Sequence, residues 1–477
     1  MPRRPTGAAM LWAHKLFPQN VVLRAPFDMG RGGLSLSESA MPQPGRSGRA
    51  VGPGSEPQAS LGKRGNSLTP PTTKGGQTAE SKTQKTEQNK AKRLRGRRDL
   101  VADQMRAASI YWHYAKEAPK GAQLPGRGVT FCGWTQIADH STDLMRVQDE
   151  TGFRAYFTGV QTCGLRWVCP CCTASAAQID RKRVNDGLAA ARQRGLWPVM
   201  ITLTTRHHRK ELPEVVLAGI QRAEQRLKTV KAWRRFSARI AGYARVLEWT
   251  YGKHGHHPHF HMIALVEADS EEEAIQAAAE LQPAYMRQLD AAGRDGHSEA
   301  AWTHSFQVQG AAAAGAYVAK WGSAEELTGA LAKSGAGEGL TPWQLLRLAR
   351  TAPDESDRQR LASIWWQIVG ATKGKAQLYI SEGWKELVEA YREDEEGEGQ
   401  PEPEKVMGFG IREKGGSPTM PWLNALPKRL AVREAAEAHP DLGLAAMAAV
   451  AAIREGPTDH ELIDGDDDDI ELIETRE

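Results

Sequence analysis

Apolar and polar residues alternate most regularly between positions 197 and 266. In residues 197–206, Val199, Ile201 and Leu203 fall on one face of an extended chain, and Met200, Thr202 and Thr204 on the other. That is the period-2 pattern of a strand. Residues 243–250 are rich in β-branched and aromatic side chains and read as a second strand, and the apolar run 262–266 as a third. Gly252 and Gly255 supply the turn between the last two, and a hairpin symmetric about Lys253 and His254 sets Glu248 across from His259. Further short strands are expected within 128–162 (foremost 153–160), at 301–308 with Trp302 and Phe306, and after the loop that opens 373–381. Helical spacing predicts helices over 100–114, 174–194, 212–240 (a long basic one carrying Trp233 and Phe236), 271–291 and 311–321. Thr341 followed by Pro342 opens a helix to about residue 351. Another spans 356–370, with Ser356 as candidate cap, and residues 429–454 have helix propensity.

Residues 1–100 are rich in Gly, Pro, Ser, Gln and Lys and lack apolar runs, so they are expected to be disordered. The Glu/Gly/Pro run from 391 to 404 reads as a linker, and the tail as disordered. The chain has 477 residues, 40% of them hydrophobic and 25% charged, which allows two or three domains. No run of 18 apolar residues marks a membrane span, and no cleavable leader is evident. The net charge of +4 hides a polarity: residues 181–239 hold 15 Lys/Arg against 4 Asp/Glu, while residues 457–477 hold 10 acidic residues and one Arg. A basic middle with an acidic tail fits a nucleic-acid protein. The cluster at 90–98 reads equally as a solvated linker or a DNA-contacting arm.

The candidate chemistry sits in three places. His259 and His261 flank Phe260 on a strand, so both imidazoles point to one face and can grip a divalent metal. Glu248, through strand pairing, and His257, through strand period, compete as third ligand. Cys169 and Cys172 have the C-x2-C spacing of a zinc knuckle, with Cys163 six residues earlier. Cys171, Cys132 or a nearby His is the candidate fourth ligand, and thiols held as metal ligands fit a reducing cytoplasm. Tyr317 and Lys320 are three apart on a helix and share a face, so the cation would help the phenol attack a metal-polarised phosphate. Arg181, Lys182, Arg183, Arg206, Arg234 and Arg235 are candidate phosphate contacts.

Taken in order, these residues resemble the HUH endonucleases, and within them the single-Tyr rolling-circle replication initiators of bacterial plasmids. The Cys163–Cys172 cluster with its basic helix, the 201–206 strand, Glu248 through His257, His259 and His261, and Tyr317 with Lys320 carry the resemblance, which covers roughly 153–387. His256 departs from it, standing where these proteins often have an aromatic residue. The resemblance implies an α+β fold: an antiparallel central sheet of about five strands flanked by helices, with the His strand central. A small Cys-rich zinc-binding segment would lie within 101–180, the nicking domain at 181–330, a helical extension at 331–390, and a linker, an Ala-rich helix and an acidic tail at 391–477. It implies nicking of origin DNA by Tyr317 with Mg2+ or Mn2+, a 5′-phosphotyrosine link, a structural Zn2+, and a 3′-OH primer for a host polymerase and helicase in the bacterial cytoplasm. Two alternatives stand beside it. One is an HUH-type transposase or relaxase, the latter disfavoured because Tyr317 follows the His motif. The other is a non-enzymatic, zinc-dependent DNA-binding regulator. Oligomeric state, origin sequence and termination nucleophile stay open.

Overall fold

The structure is a computed structural model and describes residues 79–133, 135–149, 152–320, 339–394, 402–411 and 426–455. The acidic tail, residues 395–401 of the linker and the first 78 residues lie outside the described residues. In chain order the elements are helix α1 (Ala79–Glu117), strands β1 (Ser141–Asp149) and β2 (Gly152–Phe157), helix α2 (Pro170–Gln193), strand β3 (Trp197–Leu203), and helices α3 (Pro213–Leu227) and α4 (Lys231–Ser237). The hairpin β4 (Ile240–Gly252) and β5 (Gly255–Val266) follows, then α5 (Glu271–Ala279), α6 (Gln282–Ala291), α7 (Glu299–His304), β6 (Phe306–Gln309) and α8 (Ala311–Lys320). The chain continues through α9 (Pro342–Thr351), α10 (Glu355–Ala371), β7 (Leu378–Ile380), α11 (Glu382–Asp394), β8 (Glu404–Ile411), α12 (Leu426–Ala438) and α13 (Leu442–Glu455).

Five strands form an antiparallel sheet in the order β6-β3-β5-β4-β7, with the His-bearing β5 at its centre. Period 2 sorts the side chains onto two faces. Val199, Ile201, Leu203, Leu247, Trp249, Phe260, Met262 and Ala264 pack into the larger core with α3 and α6. Met200, Ala244, Val246, Ile263 and Leu265 pack on the other face against Val184 and Leu188 of α2, Ala314, Tyr317 and Val318 of α8, and Trp384 of α11. The polar ends of this second face hold the site. Strand β7 lies inside the stretch read as a helical extension, yet it completes the sheet by pairing with β4. Its neighbour Trp384 is fully buried against Gly187 and Gly242, where an added Cβ would meet its atoms at 2.2 and 2.3 Å.

A separate three-stranded sheet, β2-β1-β8, packs against α12 and α13 and was not foreseen, because its third strand arrives from beyond residue 400. Buried Arg146 fastens it, donating to Glu404 at 2.9 Å and to the carbonyls of His439 and Pro440 at 2.8 and 3.0 Å.

Several elements differ from their sequence reading for local reasons. The 212–240 helix is two helices. The Thr229 hydroxyl donates to the Arg226 carbonyl at 2.8 Å and Val230 turns extended (φ −88°, ψ 162°), ending the first helix. The 271–291 helix also breaks, at Glu280 and Leu281, with Pro283 in the first turn of α6, where its missing N–H costs nothing. Ser298 caps a short helix by accepting from the Ala301 N–H, so residues 299–304 are helical and the 301–308 strand begins only at Phe306. Residues 429–454 fall in two helices, and Asp354 rather than Ser356 stands at the cap of α10. Thr341 and Gln344 form a full capping box on α9. Helix α1 starts at Ala79, inside the stretch expected to be disordered. Arg97 and Arg98 of the basic cluster pair with Glu437 and Glu434 at 2.8 and 2.7 Å, and Asp103 binds Arg347 of α9. That part of the cluster is an internal clamp.

Candidate active site and thiol cluster

The β4–β5 turn is the two residues Lys253 and His254, closed by the Gly252–Gly255 pair. The register that follows sets Glu248 opposite His259 and Val246 opposite His261. Three ligand atoms, from Glu248, His259 and His261, lie within 4.8 Å of one another. The Glu248 Oε2 is 3.1 Å from His259 Nε2 and 3.4 Å from His261 Nε2. Each imidazole turns its other nitrogen to an oxygen: His259 Nδ1 to the His257 carbonyl at 3.3 Å, and His261 Nδ1 to Thr202 Oγ1 at 2.9 Å. With Nδ1 carrying the proton, each Nε2 presents a lone pair toward the carboxylate, the arrangement by which outer partners orient metal-binding histidines. Burial alone would raise the Glu248 carboxyl, but the His259 and His261 imidazoles beside it overturn that and hold the group well below the usual carboxylate range. Two imidazoles and an ionised carboxylate suit a divalent ion. His257 lies tilted beside His259, ring centroids 5.2 Å apart, and is not in the three-residue group.

Tyr317 on α8 lies over this face, its ring centroid 4.6 Å from that of His261. Lys320 ends the same helix and its side chain lies outside the described residues. Thr202 orients His261, and buried Thr204 donates to the Pro258 carbonyl at 3.2 Å. His256 is buried beside Trp249 and Tyr251, accepting from Trp249 Nε1 at 3.3 Å and facing Gln367 Oε1 at 3.1 Å. It occupies an aromatic slot in the core, which explains the departure noted in the sequence.

The second group is four thiols: Cys132, Cys163, Cys169 and Cys172. Their sulfurs stand 3.3 Å (Cys132–Cys172), 3.6 Å (Cys163–Cys172) and 3.7 Å (Cys132–Cys169) apart. A tetrahedron of thiolates about 2.3 Å from a zinc ion has edges of about 3.8 Å, so the set fits a structural metal. Hydrogen bonds from Cys132, Cys163 and Cys169 push the Cys172 thiol strongly down, favouring a thiolate. Cys171 points away, toward the Leu100 carbonyl at 3.8 Å. Cys132 supplies the fourth sulfur from a loop some thirty residues upstream, where spacing within the cluster gave no signal.

Residues 155–272 match the sequence model of a family described as replication protein. The match supports a plasmid replication initiator. It spans Cys163, Cys169, Cys172 and the whole β4–β5 hairpin, and ends before Tyr317. No curated protein and no solved structure matches the chain.

The candidate phosphate-binding cations divide by their surroundings. Arg206 bonds Asp295 at 2.8 Å and Ser298 at 3.2 Å. Lys182 pairs with Asp186 and Arg183 with Asp180 along α2, while Arg181 is half-buried. Arg234 and Arg235 are exposed on α4 beside the buried Trp233 and Phe236. The six cations sit on three elements: α2, the segment after β3, and α4. Among the described residues no helix is long and apolar enough to cross a membrane.

Proposed function

We propose that this replication protein starts plasmid replication by cutting one origin strand with Tyr317. The observation that carries the reading is the Tyr317 ring packed against His261, centroids 4.6 Å apart, on the face that holds Glu248 and His259. Glu248, His259 and His261 would hold a divalent ion such as Mg2+ or Mn2+, which when bound supplies Lewis-acid stabilisation to the scissile phosphate. The Tyr317 oxygen forms a bond to phosphorus while the bond from phosphorus to the 3′ oxygen breaks. The phenol gives up its proton and the leaving 3′ oxygen gains one, so the products are a 5′-phosphotyrosine and a free 3′-OH. The chain's work is positioning and charge placement, as phosphoryl transfer requires. Lys320, one turn from Tyr317, is assigned to the phosphate. The ester stores the energy for rejoining, and the 3′-OH primes a host polymerase behind a host helicase. Cys132, Cys163, Cys169 and Cys172 hold a structural Zn2+. A purely DNA-binding regulator has no use for a tyrosine held over a His/Glu cluster.

The test is incubation with labelled origin DNA followed by mass spectrometry of the covalent peptide. The expected adduct is on Tyr317. Tyr317→Phe should abolish nicking of supercoiled plasmid while leaving DNA binding intact, and EDTA should stop the wild type. Nicking by Tyr317→Phe at the wild-type rate refutes the assignment.

A further inference from the structure

A cleft of about 1330 Å³ opens on the same sheet face as the His/Glu cluster, between the 164–168 segment, α2, the 372–377 loop and α11. It exceeds the roughly 300–1,000 Å³ of small-molecule sites. Seven Lys and Arg side chains line it against two carboxylates, Asp180 and Glu389. Asp180 is bonded to Arg166, and just outside the lining Arg392 pairs with Asp186 and Lys385 with Glu382, so seven cations meet four carboxylates and the net field in the cleft is still positive. The floor is apolar, built from Leu165, Val168, Leu378, Ile380 and Val388. One wall is the stretch between Cys163 and Cys169, so the thiol cluster anchors it at both ends, and Trp167 Nε1 ties that wall to the loop by donating to the Lys375 carbonyl at 3.2 Å. The cleft also lies close to the chemistry. Leu378 of β7 pairs with Val246, and Val246 with His261. Two strand spacings, about 10 Å, separate floor from metal-binding histidine.

We infer that this cleft holds unpaired nucleotides of the strand that is cut, bases toward the apolar floor and phosphates toward Arg127, Lys375, Lys385 and the cations beside them. The inference rests on the reading of the chain as acting on DNA, and it names a surface that reading does not supply. Unpaired bases reach a concave apolar floor, whereas a paired duplex keeps its bases inside and meets only the rim. A positive groove beside an apolar base platform is how single strands are held without sequence preference.

The test compares two triple variants in the Tyr317→Phe background, so that no covalent product forms. One is Arg127→Ala/Lys375→Ala/Lys385→Ala, in the cleft. The other is Arg222→Ala/Arg226→Ala/Arg287→Ala, on helices of the opposite sheet face. The probe is a fluorescein-labelled single-stranded oligothymidylate of about 15 nucleotides, long enough to fill a site of this kind. At roughly 0.7 counterions per neutralised phosphate, the cleft triple should lower the log–log salt slope by about 2 and weaken binding about tenfold or more. The opposite-face triple should change neither. Circular dichroism melts check that both are folded. Equal losses in the two triples, no loss in the cleft triple, or a larger loss for duplex than for single strand would each overturn the proposal. Failure of the wild type to nick origin DNA removes the nicking reading but leaves this binding result standing, so the two failures are distinct.

Discussion

Thr202→Val removes one oxygen atom's worth of chemistry from the site and keeps the shape. In the wild type Thr202 Oγ1 lies 2.9 Å from His261 Nδ1 and is held there by the β3–β5 register. It keeps the proton on Nδ1 and the lone pair on Nε2, which lies 3.4 Å from the Glu248 carboxylate. Valine suits a strand and fills nearly the same volume, so the backbone should not move. Without the acceptor, His261 is free to place its proton on Nε2 and turn its ring. Loss of such an outer partner typically costs 10–100-fold in metal affinity, equivalent to about 1.4–2.7 kcal/mol. Titration calorimetry with Mn2+ should show that loss in Thr202→Val, with nicking falling in parallel at limiting metal and recovering at saturating metal. Thr202→Ser, which keeps the hydroxyl, should stay near the wild type. An unchanged Mn2+ affinity in the valine variant, or an equal loss in the serine variant, refutes the orienting role.

Three other outcomes are expected. Cys132→Ser should cut the zinc content of the purified protein well below that of the wild type, measured by atomic absorption, while Cys171→Ser leaves it unchanged. His256 is buried and neutral, and burial lowers its pKa to about 4. The unfolded chain, with an ordinary value near 6.5, therefore takes the proton first, and stability is lost as pH falls from about 6.5 to about 4, by at most about 3 kcal/mol. Urea melts at pH 7 and pH 4.5 should show that loss shrinking in His256→Phe; an equal loss would clear His256 of the effect. Gly187→Ala drives a Cβ into the Trp384 ring at 2.2 Å, and should destabilise by about 1–3 kcal/mol in a denaturant melt.

The hairpin was the most legible part of the molecule. Its register follows from period 2 and from two glycines bracketing Lys253 and His254, and those local features do determine where Glu248 stands. The central position of β5 and the five-strand count came from the resemblance. The competition between Glu248 and His257 could not be decided from spacing, since both share a face with His259. Pairing with β4 puts the carboxylate nearer, while His257 lies tilted beside His259 and outside the three-residue group. Cys132 was ambiguous because its approach depends on how the 118–133 loop folds back, a long-range event with no periodicity. The missed breaks at Thr229–Val230 and Glu280–Leu281 are single-residue matters of hydroxyl and proline chemistry within otherwise helical patterns. The second sheet was half legible: β1 and β2 fall in the 128–162 stretch read as short strands, but β8 comes from beyond residue 400 and nothing local marks its pairing with β1.

The place of β7 has a practical consequence. A fragment ending soon after Tyr317 would carry every group assigned to the cut, and so looks like a natural minimal enzyme. It would also leave the outer edge of β4 without its neighbour and strip Trp384 from between Gly187 and Gly242. A long bare strand edge beside an uncovered apolar face is a template for pairing with other copies. Such a fragment should precipitate, and the shortest soluble cutting unit should extend through α11.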